Sequence, residues 1–223
     1  MNVLITGGAS GLGLATARAV AKAGWRPLVV DVRPVEEFDH AVADLAERAQ
    51  AERAVRELAE RAGGLDGVVT AAGVDACGQL GDVDADAWER VIMVNLLGTA
   101  SVVRAALPYL LDSHGRVVTC ASTLGLRALS DATAYCASKF GVVGFSRALA
   151  AELAGRVGVT MLVPGGMATA FFDDRAEQYK PGPDAKLNKP ENVAQTIVFA
   201  LSQPAGCEVR ELVVCPSTES SWP

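Results

Sequence analysis

The chain has 223 residues, half of them hydrophobic, and its 20 Lys+Arg against 26 Asp+Glu leave a net charge of −6. That length fits one domain with a sizeable core, needing neither disulfide nor structural metal, and the acidic balance argues against nucleic acid or an anionic membrane as the main partner. The five cysteines (Cys77, Cys120, Cys136, Cys207, Cys215) are odd in number and lack CxxC spacing, and His40 and His114 stand far apart, so reduced thiols and no metal centre are expected.

The chain begins Met1-Asn2-Val3-Leu4-Ile5-Thr6-Gly7, without a basic leader, and it has no run of about 18 apolar residues. A soluble, cytoplasmic protein is the expectation. A first strand is predicted over 3–6, followed by the glycine-rich turn Thr6-Gly7-Gly8-Ala9-Ser10-Gly11-Leu12-Gly13 and an Ala-rich helix over 14–23 that Gly24 stops. A second strand covers 28–30 and a weaker third 40–43. The stretch 32–39 between them is too short for a crossover helix, so a loop or single turn is expected there. A charged, periodic helix over 47–61 leads to a strand over 67–70, then to helical stretches over 86–94 and 99–111 with Asn95 between them. Strands over 116–119, 159–163 and 212–214 alternate with a long helix over 133–153 and a last one over 190–201, with Pro190 in its first turn. Most strands are apolar on both faces, as in a parallel sheet covered on both sides. The pattern predicts one domain over 1–223: an α/β, doubly wound Rossmann-type sandwich with about seven parallel strands and a shortened connection between the second and third. The Gly-, Pro- and charge-rich stretch 165–189 follows a strand end, where ligands bind in such sheets, and is expected to cover a site.

The first turn carries nucleotide chemistry. Small residues at Gly7, Gly11 and Gly13 let backbone approach a pyrophosphate, and the helix N-terminus at Ser10, Leu12 and Gly13 offers free N–H groups to it. Asp31 ends the second strand, where a carboxylate accepts from ribose hydroxyls and repels a 2′-phosphate. NAD is therefore the preferred cofactor. Arg33, two residues on, keeps NADP open. Asp44 is placed equally well to reach an adenine amino group or to cap the next helix. Ala71-Ala72-Gly73, three small residues ending a strand, suit close passage of a cofactor.

Tyr135 and Lys139 lie four apart on the long helix and share a face. A lysine ammonium near the phenol is expected to lower its pKa from about 10 toward neutrality. Ser122 follows a strand thirteen residues before Tyr135, placed to hold a substrate oxygen. Asn95 is a polar amide in an apolar run and needs partners. Leu124, Leu129, Phe171 and Phe172 suit either an apolar substrate body or plain loop packing.

With these motifs the chain resembles the short-chain dehydrogenases/reductases of the single-domain, Thr-Gly-x-x-x-Gly-x-Gly and Tyr-x-x-x-Lys type, over nearly its whole length. The resemblance extends through Asp44-Leu45, Asn95, Ser122 and Pro164-Gly165-Gly166-Met167-Ala168-Thr169. It implies Tyr135 as general acid/base, Lys139 on the nicotinamide ribose, and Ser122 orienting the carbonyl or alcohol. It implies Asn95 anchoring a water in a relay with Lys139, and Pro164, Gly165, Met167 and Thr169 lining the nicotinamide end. Leu45, Ala71, Ala72 and Gly73 would border the cofactor. It also implies a homodimer or homotetramer built on the helices over 99–111 and 133–153. The chain departs from the family pattern where Thr70-Ala71-Ala72-Gly73 replaces Asn-Asn-Ala-Gly, which weakens support for the central sheet. It also departs in its short substrate loop over 170–189, which points to an open site or bulky substrates, and Trp222 is placed to pack on a neighbouring subunit.

The function expected is NAD(P)-dependent hydride transfer between a secondary alcohol and a ketone. The alternative is a non-catalytic nucleotide sensor on the same fold, which keeping both Tyr135 and Lys139 disfavours. A sugar-nucleotide epimerase would need a further substrate domain for which the chain has no room.

Overall fold

The computed structural model describes residues 1–221, so the expectation for Trp222 lies outside the described residues. Seven parallel strands form one sheet: β1 (Asn2–Thr6), β2 (Arg26–Asp31), β3 (Asp39–Val42), β4 (Gly67–Thr70), β5 (Arg116–Cys120), β6 (Gly158–Pro164) and β7 (Glu211–Val214). Their order across the sheet is β3-β2-β1-β4-β5-β6-β7. The chain direction of travel reverses between β1 and β4, and a crevice opens there at the carboxyl ends of the strands. The central strands are buried almost throughout, which is why their sequences are apolar on both faces. The edge strand β3 is half exposed, which accounts for its weak sequence signal.

Helices α1 (Gly11–Lys22) and α6 (Pro190–Leu201) cover one face, packing Val20, Ile197 and Leu201 on Val3, Ile5 and Val69. Helices α2 (Arg48–Ala62), α4 (Thr99–Ser113) and α5 (Thr133–Glu152) cover the other, with Leu58, Leu110 and Leu149 on Leu4, Leu28 and Val117. A single turn, not a helix, joins β2 to β3, as the short connection required. The third strand runs one residue earlier than its sequence pattern placed it.

The two stretches flanking Asn95 prove to be one unbroken helical run. Helix α3 (Ala85–Ile92) continues through a π-helical turn (Met93–Gly98) into α4. The π-turn holds Asn95, 1% exposed, one layer behind the crevice, and such turns are common at functional sites. By length and composition alone Ala85–Ser113 could cross a membrane, but 56% of its most apolar window is buried inside the protein, so its apolarity serves the core.

Thr70, the residue standing where the family pattern begins with Asn, ends β4 with its hydroxyl buried and without a hydrogen-bond partner. A buried, unpaired hydroxyl costs about 1–3 kcal/mol. Thr70→Val, equal in shape, is therefore expected to raise stability by about 1 kcal/mol. Thermal unfolding reads this as a higher midpoint, and a lower one would show that the hydroxyl is partnered.

Candidate active site

The crevice holds a cleft of about 840 Å³, walled by the loops that follow β1, β2, β4, β5 and β6. Gly7, Ser10, Gly11, Leu12, Gly13, Asp31, Asp44, Leu45, Ala71, Ala72 and Gly73 line it toward the β1–β4 side. Ser122, Tyr135, Lys139, Pro164, Gly165, Met167 and Thr169 line it toward the β5–β6 side. Asn95 does not reach the cleft surface and stands one layer behind.

The glycine turn is shaped for close approach. Gly7 has φ +73°, and a Cβ there would meet the Ala72 backbone at 2.8 Å. A Cβ on Gly13 would lie 2.1 Å from the Gly7 carbonyl oxygen. The Thr6 hydroxyl accepts the Ala72 N–H at 3.1 Å and so ties this turn to the end of β4. Ser10 is the N-cap residue of α1 but makes no side-chain cap. The first N–H groups of the helix therefore face the cleft unpaired, with the positive end of the helix dipole behind them. A cradle that any side chain would fill, joined to an open helix N-terminus, fits a dinucleotide pyrophosphate.

Asp31 is 9% exposed at the end of β2. Its two oxygens accept the N–H groups of Ala9 and Arg33, both at 3.0 Å. These bonds fix the carboxylate on the cleft wall, and each oxygen retains a further lone pair for a ligand hydroxyl. The Arg33 guanidinium stays largely exposed, its Nε 3.9 Å from Asp31. Asp44 accepts the Ala46 N–H at 2.9 Å and pairs with Arg90 at 3.0 Å. It thus holds the turn before α2 to α3 while still bordering the cleft. Leu45 packs against the π-turn at Gly98.

At the other end, Lys139 is 4% exposed and donates to the Cys120 carbonyl at 2.8 Å. One of its three N–H donors is used there, leaving two for the cleft. The ammonium lies 5.6 Å from the centre of the Tyr135 ring. The Ser122 hydroxyl accepts the Leu124 N–H at 3.1 Å, which leaves its own proton to donate into the cleft. Asn95, 1% exposed, receives the Val74 N–H at 2.8 Å and gives its amide protons to the Val74 carbonyl and the Ser138 hydroxyl. Ser138 in turn donates to the Tyr135 carbonyl. Asn95 therefore staples the β4 loop to the helix that carries Tyr135 and Lys139. Its side chain is fully committed; its backbone carbonyl takes the Thr99 hydroxyl and has one lone pair more.

The expected lowering of the Tyr135 pKa is not found among the protein's own groups. Burial pushes the phenol up, the neighbouring Cys120 adds to this, and the Ser122 hydroxyl only partly offsets it. Burial also lowers the Lys139 pKa, which weakens the ammonium on which the sequence argument relied. Desolvation disfavours both charged forms at once.

The sequence pattern gives no sign of Arg175 and Glu219, which line the cleft, or of Asp75, which pairs with Arg175. Asp75 and Arg175 pair at 2.5 Å beside Tyr135. Glu219, from the segment after β7, accepts the Gly166 N–H at 2.8 Å and the Ser221 hydroxyl proton at 2.7 Å, and the Thr123 hydroxyl lies 2.7 Å from the Ser221 oxygen, which is left to accept from it. Burial raises the Glu219 pKa, yet the N–H and O–H donors from Gly166, Ser221 and Ser220 outweigh it and the carboxylate titrates below its usual value. All five cysteines are free. The segment after β6 lines the Tyr135 end of the cleft, where Phe171 lies 5.6 Å from Tyr135 ring to ring.

Residues 1–180 match the short chain dehydrogenase family. The chain is 31% identical to 2-(S)-hydroxypropyl-CoM dehydrogenase 3 of Xanthobacter autotrophicus, over 91% of this chain and 90% of that one. It is 32% identical to 3-oxoacyl-(acyl-carrier-protein) reductase FabG of Thermotoga maritima, over 89% of each. Among solved structures it superposes on an alcohol dehydrogenase from the archaeon Thermococcus sibiricus complexed with 5-hydroxy-NADP, with a TM-score of 0.85 and 25% identity over 96% and 95% of the two chains. The chain belongs to the short-chain dehydrogenase/reductase family. It is an oxidoreductase of alcohol–carbonyl chemistry that works with an NAD(P) nucleotide.

Proposed function

We propose that this single-domain, cytoplasmic enzyme interconverts a secondary alcohol and a ketone with NAD(H), using Tyr135 as general acid/base. The observation that carries the reading is the convergence of Ser122, Tyr135 and Lys139 on one end of a cleft whose other end is the glycine turn. When bound, the nicotinamide supplies the hydride acceptor or donor and, in its oxidised form, a positive charge. In alcohol oxidation Tyr135 takes the hydroxyl proton while Ser122 donates to the same oxygen and fixes its position. Lys139 holds the ribose with its two remaining donors, and its charge favours the phenolate. Pro164, Gly165, Met167 and Thr169 border the nicotinamide end. Asn95 is a positioning residue, and the free lone pair of its carbonyl is what it offers to a water in relay with Lys139. Leu124, Leu129, Phe171 and Phe172 all line the cleft and favour a substrate with an apolar body. Exposed Leu97, Leu111 and Phe140 on the π-turn, α4 and α5 support assembly as a homodimer or homotetramer through these helices.

The choice of NAD rests on Asp31, a fixed carboxylate facing the cleft, against an Arg33 that also borders the cleft but whose guanidinium is largely exposed. Fluorescence titration with NADH and NADPH is expected to show tighter NADH binding. Asp31→Ser, which removes the charge that repels a 2′-phosphate, is expected to narrow or reverse the preference by at least about tenfold, or about 1.4 kcal/mol. Tighter NADPH binding by the unaltered protein would mean that Arg33 dominates and would overturn the assignment. Binding of neither would remove the enzyme reading altogether.

A further inference from the structure

A largely buried ion pair ties the segment between β6 and α6 to the loop after β4. Arg175 is 18% exposed and Asp75, in the loop after β4, 6%. The two are a hundred residues apart, and their bond ties Arg175, on the cleft lining, to the loop after β4. The guanidinium also lies over the faces of Phe171 and Phe172, 5.0 and 4.6 Å from the ring centres, and Phe171 packs on Tyr135. A second Arg175 nitrogen reaches the Tyr179 carbonyl. Tyr179 extends its hydroxyl to Asp131, in the loop before α5, at 3.4 Å. On the other side Asp75 takes the Cys77 thiol proton at 3.1 Å. Burial and this carboxylate push the Cys77 pKa up to about 12, so the thiol stays a donor. The Arg175 Nε is buried with no partner. A guanidinium left with an unpaired donor is held by Asp75 and the two rings rather than by a full set of bonds.

We propose that Asp75 and Arg175 form a charge-balanced latch that seats the segment 170–181 over Tyr135 and sets the electrostatic balance around its reacting hydroxyl. Both are positioning residues, and the proposal rests on the reading of Tyr135 as acid/base. The charged and polar groups that face the phenol are Lys139 from its own helix, Cys120 and Ser122 from the end of β5, Asp75 from the β4 loop and Arg175 from the latch. Asp75 pushes the phenol pKa up and Arg175 pulls it down. Paired, the two act on the phenol in opposite directions. Removing either breaks the same bond but leaves opposite charges beside Tyr135.

That opposition gives the test. Alcohol oxidation needs the phenolate, so its rate rises with pH through the Tyr135 pKa. Asp75→Asn is expected to move this rise to lower pH, and Arg175→Gln to higher pH. Both are expected to raise KM more than they lower kcat and to speed amide hydrogen exchange over 170–181. Arg175→Lys keeps the charge without the planar fork, so it is expected to keep the pH profile while still loosening the segment. Asp75→Glu stands in for Asp75→Asn should that variant fail to fold, and is expected to preserve the profile with a higher KM. pH profiles that move the same way in Asp75→Asn and Arg175→Gln, or not at all, overturn the proposal. If no variant turns over and the wild type is equally silent, the chemistry of Tyr135 fails instead. Hydrogen exchange then decides the latch alone, and unchanged exchange in Arg175→Gln removes it.

Discussion

Tyr135→Phe is expected to abolish alcohol–ketone turnover while leaving NADH binding largely unchanged. General acid/base help of this kind is worth roughly 10²–10⁴-fold, and here no other group is placed to substitute. Lys139 is tied to the Cys120 carbonyl and Ser122 has its oxygen on the Leu124 N–H. The substitution removes one oxygen and keeps the ring, so the packing of Phe171 at 5.6 Å persists and the segment above stays seated. Cofactor affinity comes mainly from the glycine turn and Asp31, outside the reach of the phenol. Steady-state rates and NADH fluorescence titration on the same preparation separate the two effects. Full activity in Tyr135→Phe would sink the mechanism, and loss of NADH binding would show that the ring oxygen holds the cofactor rather than the proton.

The sheet was legible because a strand covered on both sides must be apolar on both sides, and Val3 to Ile5, Val68-Val69 and Val117-Val118 say so locally. The glycine turn was legible because close backbone approach restricts Gly7 and Gly13 to glycine. Elements with weak burial were less clear. The third strand, half exposed, shows little pattern and was placed one residue late. The π-turn at Asn95 leaves the sequence helical on both sides, so local pattern shows the polar residue but not the unbroken helix around it. Asp75, Arg175 and Glu219 carry no local signal. Each is an ordinary charged residue whose partner lies 53 to 100 positions away, and only the fold brings the pairs together. The Tyr135 pKa is hidden from the sequence for a related reason. Spacing puts a lysine on the same face as the phenol, but it does not show that both are buried, and burial outweighs the charge.

Gly13→Ala is the harshest small change available to the nucleotide end. The added methyl would sit 2.1 Å from the Gly7 carbonyl oxygen and 2.5 Å from its carbon. Both are backbone atoms, held by the Gly7 N–H bond to the Val30 carbonyl at 2.9 Å. No side chain can swing away, so the turn itself must shift. Overpacking of this kind costs about 1–3 kcal/mol in stability. The greater loss is in binding, since the turn is what aims the first N–H groups of α1 into the cleft. NADH affinity is expected to fall by at least about a hundredfold, or about 2.7 kcal/mol, with a lower unfolding midpoint. Gly11→Ala makes the contrast. Its Cβ would meet only the Thr169 side chain, at 3.4 Å, though its φ of +52° adds backbone strain. It is expected to weaken binding less than Gly13→Ala. Equal affinity losses in the two variants would mean that the steric approach of α1 to the Gly7 carbonyl is not what shapes the pyrophosphate cradle.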